Sequence, residues 1–136
     1  MFSTDRNELR KVFFDAWHKH QHQQPIEPLD AQLIDIMLLH PEYHALLSNP
    51  EKFQAEDFPE ANPFLHMSLH LAIREQISTN RPAGITAIYD RLCRKLGDPL
   101  MVEHRMMECL GEILWQAQQN NTMQDEAIYI EVLRGL

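Results

Sequence analysis

Apolar positions recur along the chain at the spacing of helices, not of strands. Leu9, Val12, Phe13, Ala16 and Trp17 fall on one stripe, with Asp5 and Glu8 at capping-box spacing around its start. That pattern predicts an amphipathic helix to about residue 20. Leu33, Ile34, Met37 and Leu38 give the apolar side of a second helix over Leu29 to Leu39. Pro41 interrupts it, because proline lacks the amide that would continue the ladder. A short helix through Tyr43, Leu46 and Leu47 then stops before Pro50. The stretch from Asn49 to Asn62, with Pro50, Pro59 and several acids, reads as a long connection that Phe53 and Phe58 would pin to the body.

Asn62 followed by Pro63 has the form of an N-cap and a first-turn proline, predicting a helix to about Ser78. Asn80, Pro82 and Gly84 make a turn, and Ile85, Ile88, Tyr89, Leu92 and Leu96 resume helical spacing up to Gly97, a natural C-cap. Asp98 and Pro99 restart the pattern in a long helix to about Gln119, which Asn120 and Asn121 break. A last helix would set Ile128, Val132 and Leu133 against the rest. No segment reads as a strand and no internal repeat is present, so the expected fold class is all-α: an irregular bundle of five or six helices, residues 1–136 forming a single helical domain. Met101, Met106 and Met107 read as fillers of an uneven helical interface, with Trp17 and Trp115 as its anchors.

Composition narrows the partners. A 44% apolar chain of 136 residues can bury an ordinary core. Its formal net charge of −8, from 12 basic and 20 acidic residues, disfavours nucleic acid and anionic lipid. The short basic pairs Arg10–Lys11 and Arg94–Lys95 read as solvated helix faces. Met1 leads into a charged segment unlike a signal peptide, and no apolar run approaches the roughly 20 residues that cross a bilayer. Cys93 and Cys109 lack zinc-finger spacing and read as reduced, core-facing thiols. A cytoplasmic protein with no nucleic-acid or membrane partner is therefore expected.

The chemistry worth singling out lies on two helices. His66 and His70 are four residues apart, a separation that turns a helix by only about 40° and so puts both imidazoles on one face, shared with Ile73 and Ile77. His104 and Glu108 repeat the spacing on the later long helix. If the two faces meet, His66, His70, His104 and Glu108 supply three nitrogens and a carboxylate, a set suited to a divalent metal: zinc, or iron or manganese with water completing the shell. The competing account is a hydrogen-bonded cluster in which His66 or His70 bonds Glu108 directly. Glu75 is about half a turn away from the His66 side and is set aside. His40 and His44 form a third pair, weaker as joint ligands because Pro41 stands between them. His18, His20 and His22 read as the frayed end of the first helix. Phosphate loops and nucleophile elbows are absent, so no catalytic residue is assigned.

The run Asn62-Pro63-Phe64-Leu65-His66-Met67-Ser68-Leu69-His70-Leu71-Ala72-Ile73-Arg74-Glu75-Gln76 resembles the central signature of a small proteobacterial family catalogued as a domain of unknown function, family number 1841. The Arg81–Ile85 turn, the segment His104–Leu110 and Trp115-Gln116-Ala117-Gln118 are similar to its later blocks. The resemblance covers nearly the whole chain and implies one family member with no activity attached. The reading favoured from sequence is a non-enzymatic interaction or structural protein, perceived as a candidate homodimer or a binder of another protein. The alternative is a metal-binding protein or metal-dependent enzyme built on the His/Glu cluster.

Overall fold

A computed structural model describes residues 6–53, 56–58 and 61–136. Among the described residues there are eight α-helices, one 3-10 turn and no strand. The helices are α1 (Arg6–Gln21), α2 (Pro28–Leu38), α3 (His44–Leu47), α4 (Pro50–Phe53), α5 (Pro63–Thr79), α6 (Ile85–Leu96), α7 (Pro99–Gln119) and α8 (Glu126–Arg134), with the 3-10 turn at Pro41–Tyr43. The all-α class holds, but the expected five or six helices become eight. The difference lies in the proline-rich middle of the chain. Pro50 starts a one-turn helix inside the stretch read as a loop, since its fixed φ suits the first helical position. The expected Asp5–Glu8 capping box rests on Asp5, and part of the long connection on Pro59; both lie outside the described residues.

The chain divides into two compact units, Met1–Leu71 and Ala72–Leu136, the division falling within α5. In the first, α1 packs on α2 and α3. Its core joins Phe13, Phe14, Trp17, Leu33, Ile36, Met37, Leu47, Phe64 and Met67. The stripe of α2 sits slightly rotated from expectation: Ile36 is buried, whereas Leu38 is exposed.

Arg10 departs from the solvated face read for it, being 2% exposed. Its guanidinium lies over the rings of Phe58 and Phe64 and donates to the carbonyl oxygens of Phe53 and Glu56. A buried cation is tolerated here because aromatic faces and carbonyl oxygens replace its water. Arg10 thus ties the partly buried Phe53 and Phe58 to α1.

In the second unit α6 packs on α7 and α8, and α7 on α8. Ile85, Ile88, Leu92, Val102, Met106, Met107 and Leu110 are buried, with Tyr129, Ile130 and Leu133 from α8. Two sequence expectations fail here. Ile128 and Val132 are 53% and 43% exposed, so α8 turns its Tyr129–Leu133 side inward. Trp115 is 56% exposed and anchors no core. The helix boundaries follow the local chemistry read from sequence. Asp98 caps α7 by accepting from the amides of Leu100 and Met101. Gly97 closes α6 at φ 75°, a left-handed conformation that suits glycine.

Candidate metal centre

The end of α2 and the start of α5 place three imidazoles together in the first unit. His40 follows the C-cap of α2 and takes a non-helical conformation at the head of the 3-10 turn that Pro41 begins. There its Nδ1 donates to the carbonyl oxygen of Ile36, 2.8 Å away. A carbonyl only accepts, so Nδ1 carries a proton, which leaves Nε2 as the ring nitrogen able to offer a lone pair. This is the arrangement by which a metal-binding histidine is held in one tautomer. The ring of Tyr43 stacks parallel to that of His40, 5.3 Å between centroids at 3°. Burial, with Glu42 adding to it, pushes the Tyr43 phenol above its ordinary range and keeps it protonated at neutral pH.

Asn62 fixes the start of α5. Its Oδ1 accepts from the amides of Phe64 and Leu65, and its carbonyl oxygen accepts from the amide of His66. The helix then carries His66 and His70 on one face, as their spacing predicts. The Nε2 atoms of His66 and His40 are 3.1 Å apart, and those of His66 and His70 are also 3.1 Å apart. The three rings meet edge to face, with centroids 4.7–4.9 Å apart. His70 is wholly buried and His40 is 5% exposed. His66 is half-buried.

In the second unit, His104 is half-buried on α7. Within the first, His40, His66 and His70 each offer one ring nitrogen, and these atoms all lie within 4.8 Å of one another. Among the described residues this is the one group of three or more histidine, cysteine or carboxylate side chains so placed. Of the residues singled out from sequence, His66 and His70 stand together in the first unit. Glu108 is exposed on α7 in the second unit. His40 joins the pair on α5. Helical spacing could not point to it, because its position depends on where a chain turning at Pro41 comes back to α5.

The other histidines are occupied elsewhere. His44 Nε2 donates to the carbonyl oxygen of Met37 at 2.8 Å, and its ring packs on Trp17 at 4.4 Å. His18 and His22 stack on each other at 4.1 Å, while His20 lies 5.3 Å from Trp17. In the second unit Arg74, one turn beyond His70, donates through Nε to Glu103 at 2.8 Å, an ion pair the sequence reading did not propose. Cys93 and Cys109 are free and partly buried. Burial, then the charge of Glu108, pushes the Cys109 thiol up, so it stays protonated at neutral pH. No described helix is long and apolar enough to cross a membrane.

Fold and site together define an all-α protein whose first unit bears a cluster of histidines, His40, His66 and His70, of the type that can coordinate a divalent metal. The chain belongs to the DUF1841 family, a domain of unknown function, which it matches over residues 5–135. No curated protein and no solved structure matches it.

Proposed function

We propose that this chain is a metal-binding protein whose site is built on His40, His66 and His70. This is the alternative reading of the sequence, with His40 added to His66 and His70, and it is better supported than a purely structural or interaction role. The observation that carries it is the crowding around His66 Nε2, which lies 3.1 Å from both His40 Nε2 and His70 Nε2. A ring nitrogen has either one proton or one in-plane lone pair, so it can complete one of those two contacts as a hydrogen bond but not both. A cation resolves the conflict, because all the lone pairs can then point at it. The spacing also fits. With metal–nitrogen bonds of about 2.0–2.1 Å, ligands on one tetrahedral ion stand about 3.4 Å from each other.

The donor chemistry favours a first-row transition metal. Imidazole suits zinc, iron, nickel and copper, whereas magnesium and calcium take oxygen ligands. Zinc is the reference case, since it binds histidine nitrogen without redox chemistry of its own.

Metal analysis of protein prepared without a histidine tag, before and after zinc loading and gel filtration, tests the proposal. The expected result is near one ion per chain, lost in His70→Ala and retained in His44→Ala. A loaded protein that keeps no metal through gel filtration overturns it.

A further inference from the structure

We propose that Tyr43 is a positioning residue of the metal site, its ring holding the imidazole of His40 in the plane that aims Nε2 toward His66. This rests on the metal-binding reading and concerns the first unit alone. His40 lies beyond the α2 ladder, its backbone at φ −127° and ψ 69°. A histidine ring turns readily about its outer side-chain bond, where the preference is broad. The bond from Nδ1 to the Ile36 carbonyl oxygen, 2.8 Å long, holds one edge of the ring but leaves it free to tilt about that bond. Tyr43 removes this freedom. Its ring lies parallel to that of His40 within 3°, centroids 5.3 Å apart, in the stacking range of aromatic pairs. The same ring stands edge-on to His66, at 6.2 Å and 77°.

Tyr43 is itself held in place. Its amide donates to the carbonyl oxygen of His40 at 2.9 Å, within the turn that Pro41 begins. Its side chain packs, half-buried, against the core of the first unit. The stack gains strength once an ion is bound. Coordination draws positive charge onto the imidazole, and the negative face of the phenol ring attracts that charge. The ring, not the hydroxyl, carries the effect. Phenylalanine should therefore replace Tyr43, and an aliphatic side chain should not.

Cobalt(II) binding to the full chain, followed by visible absorption and by competition with a chelator, is compared in wild type, Tyr43→Phe, Tyr43→Leu and Tyr43→Met. Tyr43→Phe is expected to match wild type in affinity and in its cobalt bands. The leucine and methionine variants, apolar but without a planar ring, should bind about 10-fold more weakly, the low end for losing an outer-shell partner. Their bands, read from folded protein at saturating cobalt, should change in position or intensity, which a loss of stability alone does not cause. Wild-type affinity and bands in either folded aliphatic variant overturn the proposal and leave metal binding intact. Equal weakening in Tyr43→Phe also overturns it, since the hydroxyl would then be the active group. Failure of both aliphatic variants to fold overturns it too, because Tyr43 would then serve the core and not the ligand. Absence of cobalt bands in wild type removes the metal-binding reading together with this one.

Discussion

His40 and His44 show how two histidines four apart can have unrelated roles. Pro41 ends the α2 ladder between them, so they do not share a helical face. His40 directs Nε2 toward His66, with Nδ1 bonded to Ile36. His44 donates to the Met37 carbonyl and packs on Trp17. Their alanine variants should therefore separate. His40→Ala removes a ligand and should weaken zinc binding by more than about 100-fold, beyond the effect usual for an outer-shell partner. His44→Ala should leave zinc affinity unchanged but cost about 1–2 kcal/mol of stability, through one hydrogen bond and one ring contact. Competition against a chelator measures the first quantity and urea unfolding the second. Equal losses of affinity in both variants would contradict the assignment. At this scale the sequence was half legible. His66 and His70 follow from helical spacing, because both ride one continuous element. His40 does not, because its relation to α5 is set by tertiary packing, which spacing along one helix cannot express.

Helices start and stop where their caps dictate, and this is where sequence reading was strongest. Asn62 and Gly97 perform the capping expected of them, and Asp98 caps α7 where the pattern was read to restart, since each acts through backbone groups a few residues away. Inward faces were less legible: α8 buries Tyr129, Ile130 and Leu133 but leaves Ile128 exposed, because two apolar stripes compete on a short helix. The cap of α2 makes a pH prediction. Asp30 accepts from the Glu27 amide and from Lys19, each at 2.9 Å. Burial alone would raise the Asp30 carboxyl, but the Glu27 amide and the Lys19 ammonium together outweigh it and hold it below its ordinary value. A carboxyl lowered on folding stabilises the native state above its unfolded pKa of about 3.9, and that contribution disappears as pH falls through the lower folded value. Asp30→Asn should thus cost about 1 kcal/mol at pH 7, where the charge-assisted bonds are intact. The gap from wild type should narrow steadily below about pH 4. Denaturant midpoints across that range test it, and a gap independent of pH would show that the carboxylate charge is not what holds the cap.

Across the whole molecule, the candidate ligands stand at positions 40, 66 and 70, the first far enough from the other two in sequence that an unfolded chain does not present all three to one ion together. A metal bound there recognises the native state almost alone, so its binding energy adds to folding stability by mass action. At free zinc about 100 times the dissociation constant, the added stability is about 2.7 kcal/mol. For a chain of this size that corresponds to a rise of about 10 °C in Tm. The shift should grow with the logarithm of free metal, reverse on chelation and vanish in His70→Ala. The logarithmic dependence matters because weak binding at the exposed His18 and His22 pair would persist in that variant. Magnesium serves as the control, since a set of imidazoles without a carboxylate gives it nothing to bind and its addition should leave the transition where it was. Thermal scans at stepped zinc concentrations decide the matter: identical transitions in zinc and in chelator would mean that the imidazoles meet for packing alone.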